Sequence, residues 1–198
     1  NSCLSDFIQV KSNVMSHEVC DSIIAEYKDD KWLQSTTTDE KDNFRTCKQV
    51  ETWKTEGGDQ NTRKELDKII FETIHPIITA YSKDFGKIHT FLPIQEDTGY
   101  TILKYEKNNR YKEHIDTLPS AEYDFNGNIK TIFKQRKITL ILALNDNYQG
   151  GGVSFFGNTY KPEVRKGDAL LFPSWNMFPH QVLPIKKGVR YSIITWCV

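Results

Sequence analysis

The sequence predicts a protein of the α+β class that is mainly β, and three observations support this prediction. Two segments of the first half carry apolar residues at helical spacing, as expected of helices that pack against a sheet. From Gly99 onward, short apolar segments are separated by turn-forming residues. About eight such segments follow the helices, which is the pattern of a double-stranded β-helix, or jelly roll. We therefore expect a jelly-roll core that is buttressed by N-terminal helices.

The first half predicts two helices and a few extended segments. Ser16 stands where an N-cap is expected, before a helix of about 14 residues. Thr62-Arg63-Lys64-Glu65 has the pattern of a capping box and precedes a longer apolar stripe. Pro76 falls inside this stripe, so we expect it to kink the second helix or to split it in two. Extended segments are expected at residues 7–10, 32–36 and 44–53, a polar loop at 37–43 and a chain reversal at 56–59.

The second half predicts strands. Asn126-Gly127-Asn128 marks a hairpin tip within the long connection between the second and third of them. The eight strands are expected at residues 99–106, 111–115, 137–145, 152–157, 160–164, 168–172, 180–184 and 189–197.

The charge balance gives no sign of bulk attraction to nucleic acid or to a membrane. The 26 basic and 26 acidic side chains cancel, and no apolar run approaches the length of a membrane span. Residues 1–99 carry 12 basic and 18 acidic side chains, whereas residues 100–198 carry 14 and 8. Part of the basic excess comes from one cluster: Lys130, Lys134, Arg136 and Lys137. A solvated strand edge and a rim that attracts an acidic substrate are both open interpretations of this cluster.

The four cysteines are scattered and form no C-x-x-C pair. This pattern favours reduced thiols and a cytoplasmic location over a disulfide framework. The first residues include no initiator Met and no signal-like apolar core, so we expect a trimmed or processed end, and removal of a signal peptide stays open.

A histidine and a carboxylate stand two residues apart at His114 and Asp116. On an extended strand such a pair leans to the same side, which suits one metal ion, although an exposed strand end would show the same pair. His180 alone fits a core or edge histidine better than a metal ligand. Two histidines with one carboxylate hold a metal on one face and leave its other positions open. Arg190 follows in an apolar strand and supplies a permanently charged fork that can bind a carboxylate.

In order and spacing, these residues resemble the prolyl 4-hydroxylase-like branch of the iron(II)/2-oxoglutarate dioxygenases. The resemblance covers about residues 99–198, and the first half resembles the supporting helices of such enzymes only loosely. It rests on the following segments: Tyr105, His114-x-Asp116, Gly150 to Phe156, Lys166 to Phe172, Pro179-His180, and Gly188 to Ser192 through Trp196. It implies one dioxygenase domain over residues 1–198, with supporting elements at 1–98 and a catalytic jelly-roll core at 99–198.

The resemblance also implies the cofactors and the reaction. His114, Asp116 and His180 would bind Fe(II), and Arg190 would pair with the distal carboxylate of 2-oxoglutarate. O2 would be the oxidant, ascorbate would be an optional further reductant, and succinate and carbon dioxide would be released. Because an acid occupies position 116, hydroxylation is favoured over the halogenation that related enzymes with a small residue there perform.

Three further positions match co-substrate residues of that family. Tyr105 matches a tyrosine that hydrogen-bonds the co-substrate, and Thr139 matches a position that assists at its distal carboxylate. Trp196 matches an aromatic wall of the same pocket. Where some relatives have a second tyrosine, this chain has Ala143, which departs from the family pattern.

The resemblance implies hydroxylation of a C–H bond, with a prolyl residue in a peptide or protein as the expected substrate. One alternative keeps the mechanism and changes the substrate to another side chain, a free amino acid or a nucleobase. The other alternative is a jelly-roll module that binds a metal or ligand without turnover. Arg190 argues against this module, because simple binding does not require a buried cation deep in the barrel.

The connection from Thr117 to Arg136 is long for a compact domain, and such connections often serve as lids or binding elements. Tyr123 and Phe125 are poorly suited to a loop that contacts only water. We expect these two rings to pack on a proline-containing peptide and Arg136 to lie near its backbone. An insertion without a substrate role is the alternative.

Overall fold

The computed structural model describes residues 3–35, 44–54, 57–84 and 96–198. The predicted polar loop at 37–43 and part of the predicted reversal at 56–59 lie outside these ranges. The helices are α1 (His17–Tyr27) and α2 (Gln60–Asp84), with short 3-10 helices at Leu4–Phe7 and Thr52–Lys54. The strands are β1 (Gln9–Lys11), β2 (Leu33–Gln34), β3 (Lys48–Glu51), β4 (Thr101–Tyr105), β5 (Tyr111–His114), β6 (Ala121–Tyr123), β7 (Ile129–Ile132), β8 (Ile138–Ala143), β9 (Gln149–Gly150), β10 (Val153–Phe155), β11 (Ala169–Pro173), β12 (His180–Val182), β13 (Ile185–Lys187) and β14 (Arg190–Cys197).

The strands form a large and a small antiparallel sheet that enclose a core. The large sheet has the order β1-β11-β8-β14-β4-β3-β2, and the small sheet has the order β10-β12-β5. Leu103 and Phe172 of the large sheet share one buried cluster with Val153 and Phe155 of the small sheet. The predicted jelly roll is confirmed by this arrangement.

The large sheet is covered on both faces, which explains why its strands are almost continuously apolar. Along β8, Leu140 and Leu142 join the cluster that contains the helices, whereas Ile141 joins the cluster between the sheets. Successive side chains of a strand point to opposite faces, so both sets must be apolar when both faces are buried.

The helices begin where side chains cap them. Ser16 Oγ accepts the Val19 N–H at 3.3 Å, as predicted for α1. For α2 the predicted capping box is wrong, because Asp59 occupies the cap. Its carboxylate accepts the Asn61 N–H at 3.0 Å and the hydroxyl of Thr62 at 2.7 Å, so the helix begins before the predicted box.

Pro76 lies inside α2 without splitting it, so that part of the prediction is wrong. A proline in a helix removes one backbone hydrogen bond, and tertiary packing offsets this loss when it is extensive. Ile74 and Ile78, on either side of Pro76, are both buried in the core against the large sheet. This packing holds the helix continuous across the proline.

One predicted strand is wrong, one predicted hairpin is confirmed, and two short strands were not predicted. Residues 160–164 form no strand, and only a single bridge joins Tyr160 to Phe155. The hairpin at residues 126–128 is confirmed, because β6 and β7 pair on either side of it and Gly127 has the positive φ of a tight turn. The short strands β9 and β13 were not predicted.

Arg63 joins α2 to α1 through a buried ion-pair cluster. Its side chain is 3% exposed and contacts Glu26 at 2.8 Å and Asp30 at 2.6 Å. The guanidinium also lies 4.4 Å from the ring centroid of Tyr27. Because all three partners come from α1 or its end, this one side chain fixes the relative position of the two helices.

We expect Arg63→Ala to lower the free energy of unfolding by about 3 kcal/mol, because it leaves two acids without their cation in a largely buried cluster. Urea denaturation followed by circular dichroism measures this loss. Lys68→Ala is the matched control, since its ion pair with Glu72 is exposed and contributes less than about 0.5 kcal/mol. Equal, small losses for both variants would contradict a structural role for the Arg63 cluster.

Candidate metal centre

The structure brings together the three residues that the sequence predicted as metal ligands. In the pairing of β12 with β5, His180 lies directly opposite His114. Asp116 follows two residues after His114, and its two carboxylate oxygens lie 3.6 Å from Nε2 of His114 and 3.6 Å from Nε2 of His180. One ligand atom from each residue lies within 4.8 Å of the others. Across the described ranges, no other group of His, Cys, Asp or Glu has this arrangement.

Backbone carbonyls fix the orientation of both imidazoles. Nδ1 of His114 lies 2.8 Å from the carbonyl of Lys112, and Nδ1 of His180 lies 3.0 Å from the carbonyl of Phe178. A ring whose Nδ1–H donates to a carbonyl presents a free lone pair on Nε2. Burial lowers the pKa of His180 to about 4, so this imidazole is neutral at pH 7. Both rings are therefore set to bind a metal through Nε2.

Asp116 is buried yet ionised. Burial alone would raise its pKa, but the facing imidazoles of His180 and His114 and a hydrogen bond from Thr139 outweigh burial and lower it. The Thr139 hydroxyl donates to Oδ2 at 2.7 Å and also lies 2.8 Å from the hydroxyl of Ser174. Two imidazoles with one carboxylate form a donor set suited to Fe(II), with positions left open for other ligands.

Arg190 lies at the start of β14, on the face of the large sheet that packs against the small sheet. It is 4% exposed, and it pairs in register with Tyr105 on β4, whose ring centroid lies 5.2 Å from the guanidinium. No carboxylate of the described residues forms an ion pair with it. Ser192 lies two positions along the strand, opposite Ala143, and its hydroxyl is buried without a hydrogen bond. A buried cation and a free hydroxyl on one strand face fit the carboxylate of a small acid.

The predicted residues Thr139 and Trp196 face each other in the pairing of β8 with β14. Trp196 Nε1 is buried without a partner, and the guanidinium of Arg136 lies 3.6 Å from the Trp196 ring centroid. Nη1 of Arg136 also lies 3.5 Å from the Asp116 carbonyl. Thr139 is thus placed against a candidate metal ligand, and its contact with a distal carboxylate stays a prediction.

The structure does not bring Tyr123 and Phe125 to the three candidate ligands. Both lie on the β6–β7 hairpin, with exposed fractions of 61% and 111%, and no ring contact joins either of them to the cluster. Their contact with a substrate stays a prediction.

Sequence reasoning missed Tyr111 and Arg45. The Tyr111 ring stacks on His114 with centroids 3.4 Å apart and planes at 17°. Arg45 lies over the Tyr111 ring at 4.8 Å, and a backbone bridge joins the two residues. The only local signal was an aromatic residue near His114, since the bridge connects residues that are far apart in the chain.

Comparisons with known proteins agree with this geometry. The chain is 27% identical over 217 residues to probable prolyl 4-hydroxylase 3 of Arabidopsis thaliana, covering 94% of this chain and 67% of that protein. It is 28% identical over 121 residues to prolyl 4-hydroxylase 13 of the same plant, covering 49% of this chain and 41% of that protein. The chain thus spans from about two fifths to two thirds of the length of these relatives.

Solved structures share the fold over nearly the whole chain. A prolyl hydroxylase from Trichoplax adhaerens, in complex with a peptide fragment of the hypoxia inducible factor oxygen degradation domain, has a TM-score of 0.73 and 19% identity. The match covers 98% of this chain and 84% of that one. A viral collagen prolyl hydroxylase from Paramecium Bursaria Chlorella virus-1 has a TM-score of 0.65 and 17% identity, covering 96% and 94%.

The family model of the 2OG-Fe(II) oxygenase superfamily matches residues 100–198, the half of the chain that contains all three candidate ligands and Arg190. The chain therefore belongs to the 2OG-Fe(II) oxygenase superfamily.

Proposed function

We propose that this Fe(II)- and 2-oxoglutarate-dependent dioxygenase hydroxylates a prolyl residue in a peptide or protein, with release of succinate and carbon dioxide. The observation that supports this most strongly is the cluster of His114, Asp116 and His180 on and beside the small sheet, together with the buried Arg190 on the large sheet that packs against it. The prolyl substrate is supported by the names of the relatives, which are prolyl 4-hydroxylases. The same chemistry on another side chain, a free amino acid or a nucleobase is the alternative.

In this proposal, Fe(II) is held by Nε2 of His114, Nε2 of His180 and the carboxylate of Asp116. Iron bound there supplies the site at which 2-oxoglutarate and O2 react to hydroxylate a C–H bond. The protein contributes orientation, because each of the three side chains is fixed by at least one hydrogen bond. It also limits access of water, since Asp116 and His180 are 5% and 3% exposed.

Arg190 and Ser192 bind the distal carboxylate of 2-oxoglutarate in this proposal. Among the residues that the structure describes, Arg190 carries a buried charge without an ion-pair partner, and Ser192 offers a buried hydroxyl without a hydrogen-bond partner. Burial raises the pKa of Tyr105, so its phenol stays protonated and can donate a hydrogen bond to the co-substrate. Ala143 and Ser192 are small and face each other, which leaves room where some relatives have a second tyrosine.

The location of the protein is a further part of the proposal. No helix within the described residues is both long and apolar enough to span a bilayer. We infer a cytoplasmic location, which the four free thiols support.

Replacing a metal ligand should remove both metal binding and turnover. We expect Asp116→Ala and His180→Ala to bind Fe(II) far more weakly than the parent under anaerobic calorimetry, and to release no succinate with 2-oxoglutarate and O2. His75→Ala is the matched histidine control, since His75 is exposed and contacts Phe71 on α2. Normal iron binding by His180→Ala would overturn the assignment.

Arg190→Ala should weaken 2-oxoglutarate binding and leave iron binding unchanged. Breaking one side of a buried charged pair costs about 3–5 kcal/mol, so we expect a loss of affinity of roughly several hundredfold. Calorimetric titration of the iron-loaded protein with 2-oxoglutarate, without O2, measures this loss. Arg165→Ala removes the same charge from an exposed site beside Glu163 and should change neither affinity. An unchanged dissociation constant of Arg190→Ala for 2-oxoglutarate would mean that this arginine is structural.

Shortening the β6–β7 hairpin should separate peptide turnover from co-substrate turnover. Within the described residues these two strands pair only with each other, so removing residues 123–130 should leave the large sheet and the small sheet intact. We expect peptide hydroxylation to fall at least tenfold while uncoupled release of succinate continues. The reason is that the deletion removes the rings of Tyr123 and Phe125, which in this proposal contact the peptide and not the co-substrate. If hydroxylation survives the deletion, the hairpin has no role in substrate binding.

A further inference from the structure

Two half-buried arginines, Arg45 and Arg136, lie beside the metal centre. Arg45 lies over Tyr111, with its Nε 3.3 Å from the thiol of Cys47. Arg136 lies over Trp196, and its own Nε is buried without a hydrogen-bond partner. Within the described residues, neither guanidinium forms an ion pair. A buried or half-buried charge without a partner is costly, so the two groups are expected to meet an anion when the site is in use.

The two guanidinium groups flank the metal centre. Nη1 of Arg136 lies 3.5 Å from the carbonyl of Asp116, and the guanidinium of Arg45 lies 4.8 Å from the ring centroid of Tyr111. Tyr111 in turn stacks on His114. An anion that contacts both arginines would therefore lie beside the metal centre and not on a remote surface.

The acids of this region are occupied elsewhere. Glu113 accepts the Gly157 N–H at 2.8 Å, and Glu106 binds the amino groups of Lys48 and Lys104. Asp116 faces the two imidazoles and accepts the hydroxyl of Thr139. Within the described residues none of these carboxylates forms an ion pair with Arg45 or Arg136, although the charge of Asp116 favours the charged form of Arg136 and opposes the lowering of its pKa by burial.

Formal charges in the loaded site lead to the same conclusion. The positive charges belong to a divalent iron and to Arg190, and the negative charges belong to the 2-oxoglutarate dianion and to ionised Asp116. The two totals are equal, so these charges cancel. The charges of Arg45 and Arg136 are then left over, and a neutral peptide would satisfy their hydrogen bonds without neutralising them.

We propose that the substrate presents a carboxylate close to the residue that is hydroxylated, and that Arg45 and Arg136 bind this carboxylate beside Tyr111. The inference rests on the proposed function and narrows its substrate class to acidic ligands. The carboxylate has two possible sources with the same chemistry: an acidic side chain next to the target, or the free C-terminal carboxylate of the target residue. Recognition by two planar donors also favours a carboxylate over a single neutral carbonyl.

The test uses nine-residue peptides with blocked ends and a central proline. The peptides are compared in pairs that differ at one position, which holds glutamate in one peptide and glutamine in the other. This position is moved in turn through the three residues on either side of the proline. A second arm compares peptides that end in proline with a free carboxylate or an amide. Binding is measured by fluorescence anisotropy to protein loaded with Zn(II) and 2-oxoglutarate, so that turnover does not occur. Hydroxylation by the iron-loaded enzyme is measured separately by mass spectrometry.

In at least one glutamate–glutamine pair, or in the pair with a free or amidated C-terminus, we expect the acidic peptide to bind at least about tenfold more tightly than the neutral one. Arg45→Gln and Arg136→Gln should each reduce this preference towards unity. Arg45→Lys and Arg136→Lys should retain part of it, which separates loss of charge from loss of folding. Arg165→Gln, which changes an arginine already paired with Glu163, should leave the preference unchanged.

The possible failures can be told apart. Equal binding of acidic and neutral peptides in both arms, with neutral proline peptides still hydroxylated, overturns this inference and leaves the proposed function standing. Failure of every peptide to be hydroxylated, with succinate release intact, overturns the prolyl substrate instead. A preference that persists undiminished in both glutamine variants assigns the carboxylate to other residues and also overturns the inference.

Discussion

Strand β12 pairs with β5 so that His180 lies opposite His114, and the other features of the site are arranged around these two imidazoles. Neither strand is long, so the position of each ring depends on the hydrogen bond from its Nδ1 to a backbone carbonyl. Asp116 reaches the same point because the chain leaves β5 directly after His114. The metal centre is thus a property of one strand pair and the residues that end it.

The large sheet supplies the other proposed site residues from its inner face. Tyr105, Thr139, Arg190 and Trp196 come from three neighbouring strands and occupy paired positions, so the register of the sheet decides which of them are neighbours. The helices on the outer face bury that side with Ile74, and the small sheet buries the other. Both layers remove water from the site, which keeps His180 neutral and strengthens the interactions of Asp116.

What the sequence could predict was local or carried by family resemblance. Two predictions needed only neighbouring residues: that His114 and Asp116 lean to the same side, and that Ser16 caps α1. The contact of Arg45 with Tyr111 depends on a bridge between residues far apart in the chain, and no local pattern encodes it. Residues 160–164 fit a strand by composition, but that segment makes only one bridge. The cap of α2 was misassigned because Asp59 and Thr62 are both good capping residues. In the structure α2 begins before Thr62, and Arg63 near its start packs against α1.

The order of the large sheet has a consequence for synthesis of the chain. Its edge strand β1 is made well before its partner, because residues 9–11 pair with residues 169–171 of β11. Translation at about 5–20 residues per second separates these partners by roughly 8–30 seconds. During that interval β1 and the inner faces of β3 and β4 have no complete sheet to join, and the apolar side of α1 has no finished surface to cover. The pairing of β1 with β11 therefore waits until β11 has been made, and the candidate metal centre can form only after β12 has emerged.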